Sequence, residues 1–272
     1  MKKILFFEIQ EFTGATRVTR TLAKAAKHKY QVAFAKVGEN VKKDIESAIK
    51  KESPDILFSS FIQINPEVIL AGKHNSMYVI IRNDYKLEDV EESIRLRAVE
   101  TYPLADEIIA QTVEMREGLL TILKLDPSKV KVLENPLDEE DILEKANVPN
   151  PFPDNRCYHF LWVGRKDPIK DLTTLKKAFE IVNQENSKTD LTLITDDLNP
   201  YKWMKHAGCL IISSKSEASP NVLREALFLG TPVISTDCSP TVRELIEKDR
   251  IVPVGDYVKM AEAMMSIMRE RN

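Results

Sequence analysis

Short apolar runs recur along the chain, and stretches with helical spacing lie between them. "KILFFE", "QVAFAKV", "DILFSS", "MYVIIR", "EIIAQT" and "KVKVLE" lack clean polar alternation, so each reads as a buried strand. Between them, "ATRVTRTLAKAAK" and "VEMREGLLTILK" place apolar residues at helical intervals. Parallel neighbours need a long crossover, and a helix supplies one. The repeated strand–helix order therefore predicts an α/β fold with parallel sheets.

The pattern breaks once. "NVPNPFPDN", from Asn147 to Asn155, holds three prolines in nine residues. Proline removes backbone donors and resists regular elements, so the predicted division is a first domain 1–146, a linker 147–155 and a second domain 156–272. Beyond the linker the alternation restarts with "YHFLWVG", a helix from Asp171, "DLTLIT", "GCLIISS", a helix from Pro220, "TPVIS", a helix near Thr241, "RIVPV" and a last helix from Asp256. Two Rossmann-like domains facing each other across a cleft are expected. A length of 272 residues suffices for two such domains.

Composition narrows the function. The 39 Lys and Arg against 42 Asp and Glu leave a net charge of −3, without the basic surplus of a nucleic-acid binder. Cys157, Cys209 and Cys238 are odd in number, with neither metal nor disulfide spacing, which fits a reducing cytoplasm. The apolar run in "MKKILFFEIQ" is too short for a signal peptide and reads as a first strand. No stretch approaches the length that crosses a bilayer.

The most informative segment is "SEASPNVLREALFLGTPVIS", from Ser216 to Ser235. Ser219 suits an N-cap and Pro220 the first helical position. Val222, Leu223, Ala226, Leu227 and Leu229 read as the buried side, and Gly230 stops the helix. Ligands of open α/β sheets bind at the carboxyl ends of strands, where this loop must sit. The N–H groups from Ser219 through Pro220, Asn221 and Val222 to Leu223, proline excepted, favour an anion. Glu217 and Glu225, eight positions apart, flank that anion site. Carboxylates are strong acceptors for sugar and ribose hydroxyls, so a nucleotide-diphosphate sugar matches both features. The plain alternative is two solvated glutamates.

This segment resembles the retaining glycosyltransferases of family GT4, which have the GT-B fold. The shared pattern runs S-x-x-E-G-(F/Y)-P-x-x-x-x-E-A-x-A-x-G-x-P-V-I; Ser214, Glu217, Pro220, Glu225, Ala226, Gly230, Pro232, Val233 and Ile234 match it, with Glu244 further on. Ala218 and Ser219 replace its glycine and aromatic. "GRKDPIKD" resembles the family's G-R-x-x-x-x-K-G through Gly164, Arg165 and Lys170, with Asp171 in place of glycine. Gly14 and Arg17 resemble its G-G-x-x-R segment, with Thr13 for the first glycine. Asn135, Pro136 and Asp138 match the close of its first domain. Where many members carry a histidine near the donor sugar, this chain has Arg82, Asn83 and Asp84. One strand–helix unit beside the base pocket is missing before "GCLIISS".

The resemblance implies transfer of a sugar, hexosyl in type, from a UDP- or GDP-sugar with retention of configuration and no cofactor or metal. Arg165 and Lys170 would neutralise the departing diphosphate, Glu217 would contact the sugar, and Glu225 the ribose hydroxyls. Gly14, Arg17 and Gly164 would lie near the donor. The acceptor, a glycan, a lipid-linked sugar or a small molecule, would enter from the first domain. No D-x-D is present, and Asp196–Asp197 reads as a loop turn. The histidines lack metal spacing or a nucleophile. "MAEAMMSIM" reads as helix packing, with a membrane-surface face as its alternative. Two rivals stand beside transfer. One is a non-catalytic nucleotide-sugar or phosphate binder. The other is a dehydrogenase, against which the absent G-x-G-x-x-G weighs.

Overall fold

The computed structural model describes residues 1–10, 13–83, 86–153, 156–195, 197 and 199–270, and the chain divides into two compact units, Met1–Pro136 and Leu137–Asn272. The first unit runs β1 (Lys3–Ile9), α1 (Gly14–Ala26), β2 (Gln31–Val37), α2 (Val41–Glu52), β3 (Ile56–Ser59), α3 (Asn65–His74), β4 (Tyr78–Arg82), α4 (Glu92–Thr101), β5 (Glu107–Ala110), α5 (Val113–Leu123) and β6 (Val130–Val132). Its six strands are all parallel, in the order β2-β1-β3-β4-β5-β6. The second unit runs α6 (Glu139–Ala146), β7 (Tyr158–Val163), α7 (Leu172–Glu185), β8 (Thr189–Ile194), α8 (Tyr201–His206), β9 (Cys209–Ile212), α9 (Asn221–Phe228), β10 (Val233–Thr236), α10 (Pro240–Leu245), β11 (Ile251–Val252) and α11 (Tyr257–Glu270). Its five strands are parallel, in the order β11-β10-β9-β7-β8.

Each unit is thus a doubly wound α/β layer structure, as the apolar runs predict. Successive strand residues point to opposite faces, so one run feeds two cores. In the second unit Leu161, Leu210 and Ile212 pack with Leu223, Val233 and Val242 on one face. Phe160, Trp162 and Ile211 pack with Leu175, Met260 and Met264 on the other. The methionines of "MAEAMMSIM" mainly fill this second core. β2 departs from expectation: it is an edge strand, and its Phe34 is 44% exposed. An edge strand and a central strand can carry the same apolar run, because only pairing decides which it becomes.

The division between units differs from the predicted one. α6, read as the end of the first domain, buries Ile142 and Ala146 in the second unit's core. Phe152, inside the predicted linker, is buried there too, stacked on His159 at 4.2 Å and edge-on to Trp203 at 5.2 Å. Asp154 and Asn155 of that linker lie outside the described residues. The prolines mark an irregular segment that is nonetheless packed, and the units part at Pro136.

Candidate functional site

In a doubly wound sheet the first crossover runs to one side and the next to the other, which opens a crevice at the carboxyl ends of the two strands between them. In the second unit those strands are β7 and β9. The loop after β7 carries Gly164, Arg165 and Lys170. The loop after β9 carries Ser213, Ser214 and Glu217 and leads into α9. The strand order therefore brings together two segments that are far apart in sequence.

Gly164 N–H extends the ladder to Ile194 O at 3.0 Å. A Cβ at Gly164 would stand 3.1 Å from the Trp162 ring, so the glycine has a packing reason independent of any ligand. Arg165 follows, exposed to solvent. A single 3-10 turn, Pro168–Lys170, then delivers Lys170. Asp171 sits in the left-handed region at φ 45° and caps α7, accepting from Thr174 N at 3.3 Å and Thr174 Oγ1 at 2.7 Å. The family's glycine at this position suits that backbone conformation. Aspartate tolerates the region and adds a cap.

Lys170 Nζ donates to Glu217 Oε1, a bond between residues 47 positions apart. Ser214 Oγ donates to the same oxygen at 2.7 Å. Three further bonds staple the two loops and a third, after β10, into one platform. Lys215 N–H reaches Ile169 O at 2.7 Å, Ser213 Oγ reaches Lys170 O at 2.7 Å, and Glu217 N–H reaches Cys238 O at 3.0 Å. Thr236 Oγ1 also donates to Ser214 O at 2.5 Å. Burial, and next the Glu217 charge, push the Cys238 thiol pKa above its ordinary value, so Cys238 stands as a neutral wall beside the carboxylate. Lys170 and Glu217 remain 22% and 16% exposed at their side chains, so the pair can meet a solute.

At α9 the structure corrects two details. Pro220 is the N-cap and Asn221 the first helical residue, without a side-chain cap bond. Ser219 is buried and accepts from Thr241 Oγ1 at 3.3 Å, a contact with a distant segment that the local pattern does not encode. Leu227 is 37% exposed, whereas Glu225 is only 4% exposed and takes a place on the buried face. Tyr201 OH donates to Glu225 Oε1 at 3.4 Å. Leu223 is buried and Asn221 and Val222 are half-buried. The helix ends as predicted at Gly230, φ 75°, where Gly230 N–H bonds Leu227 O and Thr231 N–H bonds Ala226 O in a Schellman motif. Sequence reasoning left Ser213, Cys238, Tyr201 and Thr236 without roles, and Ser214 only as a motif match. The two serines ending a strand at "IISS" were the available signal.

Gly14 and Arg17 belong to the first unit. Gly14 opens α1, and Thr13 forms a capping box with Thr16, accepting from Thr16 N at 3.3 Å. Threonine there performs a cap that glycine could not. At the position of the family histidine, Arg82 and Asn83 are 2% and 1% exposed. Arg82 Nη2 donates to Asn135 Oδ1, Asn135 Nδ2 to Gln111 Oε1 at 3.1 Å, and Gln111 Nε2 to Asn83 O at 3.2 Å. Tyr102 OH donates to Asn83 Oδ1 at 3.3 Å, and Asn65 Nδ2 to Tyr102 OH at 3.0 Å. Asp84 and Asp196 lie outside the described residues. Asp197 accepts from Asn199 N at 2.8 Å and Trp203 Nε1 at 2.9 Å. Among the described residues between β8 and β9 stands one short helix, α8. Among the described residues no group of three or more His, Cys, Asp or Glu could hold a metal ion, and no helix is long and apolar enough to cross a membrane.

Residues 156–270 match the family described as "Glycosyl transferases group 1". An uncharacterised glycosyltransferase of Methanocaldococcus jannaschii is 26% identical over 73% of this chain and 59% of its own length. A Campylobacter jejuni enzyme is 26% identical over 62% of this chain and 52% of its own length. Its name is N-acetylgalactosamine-N,N'-diacetylbacillosaminyl-diphospho-undecaprenol 4-alpha-N-acetylgalactosaminyltransferase. The chain thus spans a little over half the length of these relatives. Among solved structures, Anabaena HepE in complex with UDP-glucose superposes with a TM-score of 0.80 at 14% identity, over 100% of this chain and 91% of that one. Sucrose-phosphate synthase from Thermosynechococcus elongatus superposes with a TM-score of 0.74 at 14% identity, over 99% of this chain and 90% of that one. The chain has the two-sheet GT-B fold of these glycosyltransferase structures, and over residues 156–270 it is similar in sequence to the group 1 glycosyl transferases.

Proposed function

We propose that the chain is a glycosyltransferase of the GT4 type that moves a hexose from a nucleotide-diphosphate sugar to an acceptor hydroxyl. Configuration is retained and no metal is needed. The observation that carries this reading is the Lys170–Glu217 pair at the switch point of the sheet whose segment matches the family. A departing diphosphate develops charge that preorganised cations stabilise. Lys170 and Arg165 take that role. Glu217 accepts from the sugar hydroxyls, and Glu225 from the ribose. Ser219 and the first N–H groups of α9, at Asn221, Val222 and Leu223, face the phosphates, with Pro220 setting their direction. Gly164 keeps the backbone low beside them.

The UDP and UDP-glucose bound to HepE favour UDP over GDP as the nucleotide. The diphospho-undecaprenol in the Campylobacter enzyme's name favours a lipid-linked acceptor over a free glycan or small molecule. Such an acceptor is compatible with a cytoplasmic protein in peripheral membrane contact, which is the location we propose. Incubation with labelled UDP- and GDP-sugars, with and without acceptors, tests the reading. Acceptor-dependent nucleotide release that disappears in Glu217→Ala and Arg165→Ala supports it. Tight binding without turnover for every donor and acceptor would instead favour a non-catalytic sugar-nucleotide binder.

A further inference from the structure

Lys170 makes a charged contact inside the protein, and this constrains how a ligand reaches it. Its ammonium donates to Glu217 Oε1, and Ser214 Oγ donates to the same oxygen at 2.7 Å. The Glu217 backbone is anchored by its N–H on Cys238 O at 3.0 Å, and the carboxylate is held in place by Lys170 and Ser214. Glu217 Oε2 has no hydrogen bond to another described residue, and the side chain is 16% exposed. One oxygen is therefore committed to a cation and a hydroxyl, and the other is offered to a solute.

A diphosphate that seeks Lys170 must compete with that carboxylate. From the geometry we propose that Glu217 discriminates the intact donor from the spent nucleoside diphosphate. This rests on the reading of the site as one for a nucleotide-diphosphate sugar. An intact donor brings hydroxyls that satisfy Glu217 Oε2 while its phosphates share Lys170. The spent nucleotide keeps its ribose but brings no sugar hydroxyl to Glu217 Oε2, so its phosphates meet the carboxylate as a rival for the ammonium and as a like charge. Partial neutralisation of Lys170 by Glu217 weakens the hold on the leaving product and favours its release. Ser214 is the positioning residue of this device: its hydroxyl keeps Oε1 in place when Lys170 turns toward phosphate.

Calorimetric titration of the whole chain with UDP and with GDP, at fixed ionic strength, tests the proposal. Glu217→Gln keeps the shape and removes the charge, and it should bind the diphosphate about five-fold tighter than the unmodified protein. Lys170→Met should bind it about ten-fold more weakly. In the Lys170→Met background the gain from Glu217→Gln should fall to less than about two-fold, because the ammonium for which the carboxylate competes is gone. Glu217→Ala should reproduce the direction should the glutamine variant fold poorly by circular dichroism. Equal or weaker binding by Glu217→Gln, or an undiminished gain without Lys170, overturns the discrimination while the donor reading stands. Absence of diphosphate binding by both the unmodified protein and Glu217→Gln overturns both.

Discussion

The two units share one plan and use it differently. In each, the second strand flanks the first, the third pairs on its other side, and the carboxyl ends of the first and third strands define the switch point. In the second unit that end of the sheet carries a partly exposed ion pair, Lys170 and Glu217, on three stapled loops. In the first unit the corresponding end of β4, β5 and β6 carries a buried network of Arg82, Asn83, Tyr102, Gln111 and Asn135. In both units these polar groups stand at the carboxyl ends of strands, at β7 and β9 in the second unit and at β4, β5 and β6 in the first. Water access decides whether they serve a ligand or hold the fold, because a buried group must be satisfied within the protein.

The difference can be broken by substitution. The largest expected effect is on chemistry: Lys170→Met should lower kcat/KM for sugar transfer by about 10²–10³, with little change in melting temperature. Steady-state kinetics beside a thermal melt would check this. In the first unit the balance should reverse. Asn135→Ala removes the acceptor of Arg82 Nη2 and the donor to Gln111 Oε1 in a buried site, and it should destabilise the protein by about 2 kcal/mol in urea unfolding. An unchanged urea midpoint would show that this network does not hold the fold.

Smaller effects sharpen the comparison within the second unit. Asp171→Ala loses the α7 cap and keeps a Cβ at positive φ, for an expected loss of about 1.5 kcal/mol. Asp171→Gly loses the cap but gains backbone freedom, and it should stay within about 0.5 kcal/mol of the unmodified protein. Equal losses for the two variants would remove the conformational argument. The smallest effect concerns Asp197. Burial raises its pKa, but Lys202, the Asn199 N–H and Trp203 Nε1 outweigh burial and hold it below the ordinary carboxylate value. A depressed pKa contributes stability above the unfolded value that is lost as pH falls through the folded one. Asp197→Asn should therefore lower the melting temperature at neutral pH, and the gap to the unmodified protein should close in acid.

Much of the fold was legible because the apolar runs are local and most of them are buried. The strands from "KILFFE" to "RIVPV" and the Gly230 helix stop rest on short-range chemistry. The unit boundary was not legible in that way. Ile142 and Ala146 give α6 an apolar side, but nothing in eight helical residues names the core that receives it. Likewise Arg82 and Gln111 fall in the apolar runs "MYVIIR" and "EIIAQT", but nothing local names their polar partners, and the network that includes Asn83 and Asn135 makes their burial tolerable.

The chain's own pattern determined an α/β alternation, the helix stop at Gly230 and the residue types at the two loops, because propensity and periodicity act over a few neighbours. Tertiary structure alone decided which strands lie at an edge, which unit owns α6, and that Lys170 meets Glu217 across 47 residues. Those outcomes depend on strand pairing and on exclusion of water. Both are properties of segments brought together from afar.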